Sequence, residues 1–273
     1  MKVVILAGGY GSRLGSLTDI VPKPMVEIGG RPILWHIMKY YSNFGYKDFV
    51  ICLGYKGNVI KDYFLHYQAR NNDFSIDLGS NDITFHNGHD ETDWNVTLVD
   101  TGVDTLKGGR IKQVEPYLDD MNLLTYGDGV ADVDINSLID FHLGHGKTVT
   151  ITGVHPPARF GELLEEENQV ISFEEKPQTS SGLINGGFMV FNKELLSYLS
   201  ADKDCDFEIG PLDELSKNGE VMVYKHKGNW ECMDHQRDVD HLNKLWDQGN
   251  AFWNLWDKDG EKMKEKISLY QKT

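Results

Sequence analysis

The sequence predicts an α/β fold built around a mostly parallel central sheet, and three observations support that prediction. The chain opens on Lys2-Val3-Val4-Ile5-Leu6-Ala7, a continuous, largely β-branched apolar run of the kind that forms a strand covered on both faces. Such runs then alternate with segments of helical spacing, the rhythm of right-handed strand–helix–strand crossovers. Finally, 273 residues at 40% hydrophobic and 25% charged are enough to bury one large core, and they exclude a disordered or collagen-like chain.

The elements follow in order. The run from Val3 to Ala7 is shorter than the roughly 7–15 apolar residues of a signal-peptide core, so it reads as a buried strand. Gly8-Gly9-Tyr10-Gly11-Ser12-Arg13 follows as a loop, and Pro22-Lys23-Pro24 forbids a helix there. Residues 32–44 have helical spacing, with Ile33, Ile37, Tyr40 and Tyr41 on one side and Pro32 suited to the first turn. Residues 48–53 read as a strand and 59–69 as a helix; 123–126, 135–143 and 148–154 repeat strand, helix, strand. Beyond Pro156-Pro157 the pattern turns more antiparallel, with short strands near 169–174, 185–191 and 221–225. Residues 235–256 read as a helical tail. Its Leu242, Leu245, Trp246, Trp253 and Trp256 form an apolar stripe for the body or for another subunit. Residues 257–273 are a charged extension outside the domain.

Charge and cysteine usage narrow the function. A net charge of −15 argues against a nucleic-acid coat or an anionic-membrane binder, and no apolar stretch approaches the roughly 18 residues of a spanning helix. Residues 1–60 nevertheless carry seven Lys or Arg against three Asp or Glu, so a small anionic ligand is expected there. Cys52, Cys205 and Cys232 are far apart and include no C-x-x-C, which fits reduced thiols in a cytoplasmic protein. Ten histidines contain no H-E-x-x-H, so zinc is not expected, and no Ser, His and acid set declares an acyl-transfer triad.

Two phosphate-loop patterns fail. A dinucleotide fingerprint starting at Gly9 and Gly11 would need glycine at Leu14, and a P-loop ending in Gly146-Lys147-Thr148 would need glycine at Phe141. What remains is LAGGYGSRL at 6–14 followed by Pro22-Lys23-Pro24-Met25. A buried strand delivers a glycine loop whose bare amides can approach phosphate oxygens. Arg13 adds a forked donor and Lys23 a point charge on a rigid segment. Farther on, Tyr126-Gly127-Asp128-Gly129 sets a carboxylate at the end of a strand, where open α/β sheets bind ligands. Asp132-Val133-Asp134 spells the D-x-D of metal-dependent glycosyltransferases, but it sits where a helix should begin, so an acidic first turn is the better explanation.

LAGG-x-G-S-R-L with PKPM resembles the signature of sugar-1-phosphate nucleotidyltransferases, whose usual form has Thr where this chain has Ser12. The likeness continues through 26–42, 94–102, 108–112, 125–135, 159–163, 173–177, 184–192 and 230–238, and spans residues 1 to about 256. Within that family it is narrowest toward members that use CTP and glucose 1-phosphate. The resemblance implies one Rossmann-like three-layer domain with a smaller antiparallel sugar-side portion and C-terminal helices. Its nucleotide-binding part would be 1–130, its sugar-binding part 131–234 and its tail 235–256. By the same resemblance the nucleotide meets Leu6, Ala7, Gly8, Gly9, Gly11, Ser12, Thr101, Gly102, Gly127 and Asp128, with Thr105 and Arg110 closing over it. The sugar phosphate meets Gly161, Glu175, Lys176, Asn185 and Gly186. Asp128 and Asp234 would hold Mg2+, and Arg13 and Lys23 would be catalytic.

The implied reaction gives CDP-glucose and pyrophosphate, feeding bacterial surface dideoxysugars, in an enzyme that assembles as a homo-oligomer. The open alternatives are a UDP- or dTDP-sugar pyrophosphorylase, a D-x-D glycosyltransferase using Asp132 and Asp134, and a non-catalytic relative.

Overall fold

The computed structural model describes residues 1–156, 162–166, 169–174 and 182–256. In chain order, β1 (Val3–Leu6) leads through the glycine loop and the Lys23–Met25 turn to a small hairpin, β2 (Glu27–Ile28) and β3 (Arg31–Pro32). Next come α1 (Ile33–Asn43), β4 (Asp48–Leu53), α2 (Gly57–Leu65) and α3 (Tyr67–Asn71), then a second hairpin of β5 (Phe74–Ile76) and β6 (Ile83–Phe85). They are followed by β7 (Asn95–Asp100), α4 (Lys107–Gln113), β8 (Met121–Tyr126), β9 (Gly129–Ala131), α5 (Ile135–His145) and β10 (Val149–Val154). The rest is β11 (Glu162–Glu166), β12 (Gln169–Glu174), β13 (Ile184–Asn185), β14 (Met189–Asn192), α6 (Pro211–Lys217), β15 (Val221–Lys225), β16 (Trp230–Cys232) and α7 (Gln236–Asp247).

The main sheet runs β13-β10-β14-β8-β1-β4-β7, with β15 beside β10. Its first-built half is parallel: β1 pairs with β4 and β8, and β4 with β7. Alternation along β1 explains the three layers. Val3 and Ile5 join a core with α1, while Val4 joins a second core with Ile111, Val114 and Leu195 on the opposite face. In the other half β13 and β14 run antiparallel to β10, as expected, but β15 runs parallel to it. Among the described residues, β11 and β12 form a separate two-stranded hairpin.

Two helices differ from the sequence reading. The expected helix 59–69 is split at His66, whose φ of −101° and ψ of 17° separate α2 from α3. The tail is helical only to Asp247. Gly249 adopts φ 69°, a left-handed conformation that ends the helix, with Gly249 N donating to Trp246 O and Asn250 N to Leu245 O. The chain then folds back, and its tryptophans pack within the same chain. His36 is fully buried among Trp35, Trp246, Trp253 and Trp256, at ring-centroid distances of 5.2, 4.8, 6.2 and 6.0 Å. The stripe therefore packs on the body of its own chain. Among the described residues no helix is long and apolar enough to cross a membrane. The extension 257–273 lies outside the described residues.

Candidate active site

The site sits where the topology reverses. From β1 the chain builds outward to β4 and β7, then crosses to β8 on the other side of β1. The loops leaving the carboxyl ends of β1 and β8 therefore diverge and leave a crevice between them. That cleft, of about 530 Å3, is lined by Leu6 to Arg13, Lys23, Pro24, Val103 to Lys107, Arg110, Tyr126 to Asp128, and Asp234. Four of these are cations (Arg13, Lys23, Lys107, Arg110) and three are acids (Asp104, Asp128, Asp234), so the cleft is net basic within a chain of net charge −15.

Arg110 forms the floor. Its Nη1 donates to Leu53 O, Thr101 Oγ1 and Gly102 O at 2.9, 2.7 and 2.7 Å, and its Nη2 to Gly8 O and Val103 O at 3.0 and 3.1 Å. One guanidinium thus ties together the loops after β1, β4 and β7. Burial lowers its pKa, and five neutral acceptors take the place of a carboxylate partner. Gly8 must be glycine because a Cβ there would collide with this guanidinium. In this structure Arg110 therefore lies beneath the glycine loop, and Thr101 reaches the cleft only through it. Across the mouth, Tyr10 Oη donates to Asp104 Oδ1 at 2.6 Å, joining the glycine loop to the segment that carries Thr105.

At the other end of the cleft a knot of charge forms. Lys23 Nζ donates to Asp128 Oδ2 at 2.5 Å and to Asp234 Oδ1 at 2.7 Å, and Arg13 Nη1 donates to Asp234 Oδ2 at 2.7 Å. Lys23 is held by its short 3₁₀ turn between Pro22 and Pro24. Asp128 lies between β8 and β9, and Asp234 follows β16. The β9–β16 ladder, with Cys232 opposite Gly129 and Met233 N donating to Asp128 O at 2.9 Å, brings the two acids together. Burial would lower the Lys23 pKa, but the Asp128 and Asp234 carboxylates outweigh it and raise it. Burial would likewise raise Asp234, yet Lys23 and Arg13 hold it below the ordinary carboxylate range. Cys232 joins the group, its thiol pushed up by burial and then by Asp128.

The sugar-side expectations divide. Asn185 Nδ2 donates to Tyr126 Oη at 2.9 Å, and Tyr126 Oη to Glu208 Oε1 at 2.9 Å, so a polar chain runs from β13 to the cleft wall. Gly186 sits at the kink between β13 and β14, where Gly187 has φ 77° and Trp230 Nε1 donates to Gly186 O at 2.8 Å. Gly161, Glu175 and Lys176 lie outside the described residues. The D-x-D alternative loses its ligands. Asp134 caps α5, accepting from Ser137 N at 2.9 Å, and Asp132 accepts from Asn229 N and Nδ2 at 2.7 and 2.8 Å beside His226 at 2.9 Å. Lys107, Tyr126 and Glu208 were not singled out from sequence. Tyr126 belongs to the Tyr126-Gly127-Asp128-Gly129 motif, but nothing in its sequence neighbours points to Glu208, which is 82 residues away.

A family model described as nucleotidyl transferase matches residues 2–252. The chain belongs to the nucleotidyl transferase family. It is 50% identical over 259 residues to a glucose-1-phosphate cytidylyltransferase of Salmonella typhi, covering 94% of this chain and 100% of that protein. It is 43% identical over 257 residues to a probable glucose-1-phosphate cytidylyltransferase of Bacillus subtilis, again across 94% of this chain and 100% of the relative. Among solved structures, HddC from Yersinia pseudotuberculosis complexed with GMP-PN superposes with a TM-score of 0.65 at 24% identity, covering 90% of this chain and 99% of that one. That likeness carries the family's fold.

Proposed function

We propose that this chain transfers a cytidylyl group from CTP to glucose 1-phosphate, releasing pyrophosphate and forming CDP-glucose. The observation that carries this is the pairing of Arg13 and Lys23 with Asp128 and Asp234 beside the glycine loop at the β1/β8 crevice. Half-identity to a cytidylyltransferase along nearly the whole chain supports the choice of substrates.

A phosphate monoester has a second pKa of about 6, so glucose 1-phosphate is mostly dianionic at neutral pH and needs no general base. Its oxygen attacks the α-phosphorus in line with the departing pyrophosphate, and the protein's task is positioning and charge neutralisation. The bare amides of Gly8 to Gly11 and the Arg13 guanidinium face the phosphates. Lys23 meets the α-phosphate where attack occurs, and the Arg110-tied floor carries Leu6, Ala7 and Thr105 against the nucleoside, with Thr101 and Gly102 holding Arg110 from behind. Gly161, Glu175, Lys176, Asn185 and Gly186 take the sugar phosphate, with Tyr126 and Glu208 bracing Asn185.

Two adjacent carboxylates that already embrace an ammonium suit a divalent cation, and Asp128 and Asp234 are the residues that would hold Mg2+. When bound, that ion neutralises triphosphate charge. With the carboxylates so engaged, Lys23 and Arg13 would be free to meet phosphate. Division into 1–130, 131–234 and 235–256, a cytoplasmic location, homo-oligomeric assembly and supply of a dideoxysugar route belong to the same proposal. The test is pyrophosphate release with Mg2+ and glucose 1-phosphate across CTP, UTP, dTTP, ATP and GTP. Release with CTP far above the others is expected. Equal release with UTP or dTTP would overturn the base assignment, and no release with any nucleotide would overturn the reaction.

A further inference from the structure

The proposed reaction uses only two of the three metal-seeking side chains gathered at the end of the cleft. Donor atoms of Asp128, Cys232 and Asp234 all lie within 4.8 Å of one another, the one such trio of His, Cys, Asp or Glu donors among the described residues. The arrangement is built by backbone: Cys232 faces Gly129 across the β9–β16 ladder, and Met233 N donates to Asp128 O at 2.9 Å. Both acids line the cleft, and Cys232, partly exposed, stands directly behind them.

The thiol has no use for Mg2+, a hard ion that takes oxygen ligands and keeps several waters. For a zinc-class ion it is the best ligand present, because borderline and soft cations favour thiolate. Three protein ligands with one position left open is also the count of an open zinc site. The other two thiols lack this setting. Cys52 is fully buried in the core, and Cys205 packs by Gly108 with no part in the trio.

We propose that Asp128, Asp234 and Cys232 together capture a zinc-class divalent cation, which excludes Mg2+ from the same carboxylates and inhibits nucleotidyl transfer. On capture the S–H bond breaks, its electron pair forms the metal–sulfur bond and the proton leaves to solvent, with no change of oxidation state. Lys23 Nζ, now bridging the carboxylates at 2.5 and 2.7 Å, gives way. A monocation is replaced by a dication that gains a third anionic ligand.

This rests on the reading of Asp128 and Asp234 as the metal-holding pair, so the test separates the two ideas. The full chain is titrated with Co2+ in the absence of nucleotide. The expected result is a thiolate-to-cobalt charge-transfer band in the near ultraviolet, saturating at one ion per chain and bleached by Zn2+ but not by an equal concentration of Mg2+. The band should vanish in both Cys232→Ser and Cys232→Ala, weaken in Asp128→Asn, and persist in Cys205→Ser. No band in the wild type, or an unchanged band in Cys232→Ser, overturns the proposal. Mg2+-supported pyrophosphate release by the same preparation tests the reaction independently. Release without a band overturns the zinc-class site and leaves the reaction, whereas a band without release leaves the site standing and removes the reaction.

Discussion

Two parts of this molecule bury ionisable groups, and they treat charge in opposite ways. At the cleft, Lys23 and Asp234 are held in their charged forms by opposite partners at hydrogen-bond distance: Asp128 and Asp234 around the lysine, and Lys23 with the exposed Arg13 around Asp234. In the tryptophan cage His36 is kept neutral. Its Nε2 bonds Ile28 O at 2.7 Å, its Nδ1 accepts from Trp253 Nε1 at 3.3 Å, and burial pushes its pKa down to about 4. The first arrangement is poised to exchange partners; the second has no partner to exchange. Changes in the cage should therefore appear in stability and changes in the knot in turnover.

Trp253→Ala should give the largest effect. A fully buried indole is removed, and the loss of unfolding free energy is expected at about 3–5 kcal/mol, read by urea denaturation, with turnover per folded molecule preserved. A large drop in turnover with little loss of stability would erase the distinction. Arg13→Ala or Lys23→Ala should lower kcat on the order of 10²–10³-fold at saturating substrates, the loss typical of one preorganised charge donor. Retention of most turnover by either variant would remove it from the chemistry.

The next contrast is in pH. Unfolded His36 takes up a proton below its ordinary value of 6.5, whereas the native residue resists until about 4. The unfolded state thus binds more protons across that window, and stability falls as pH drops from about 6.5 to 4, by about 3 kcal/mol in all. Comparing the pH dependence of unfolding for wild type and His36→Gln isolates this contribution, and equal slopes would refute it. The smallest effect should be Asp134→Ala, which removes the α5 cap for about 1 kcal/mol and leaves turnover intact. If that variant lost activity instead, the D-x-D pair would have to be restored to the chemistry.

How far the sequence could be read depended on whether a feature was local. β1, the glycine loop, Lys23 between prolines and Asp128 at a strand end all announce themselves within a few residues. Asp234 does not: it needs the β9–β16 ladder, whose strands are three residues each and carry no period. The nearness of Cys232 to Asp128 was hidden for the same reason, so three scattered cysteines gave no hint of a donor trio. Arg110 reads from sequence as a ligand, and only tertiary packing reveals five carbonyl and hydroxyl acceptors around it. The tail misled because an apolar stripe continues through Trp253 and Trp256 after Gly249 has already turned the chain.

The separation in sequence between the halves of the charge knot also bears on how the protein comes off the ribosome. Arg13 and Asp234 are 221 positions apart, and Lys23 and Asp234 are 211. The parallel strands β1, β4, β7 and β8 can emerge and pair long before Asp234 is synthesised. During that interval Lys23 has Asp128 alone and Arg13 has no acid of its own. Closing so long a loop is entropically costly and slow, which places completion of the site among the last events of folding. A nascent chain is therefore able to pair its parallel strands well before it acquires its chemistry.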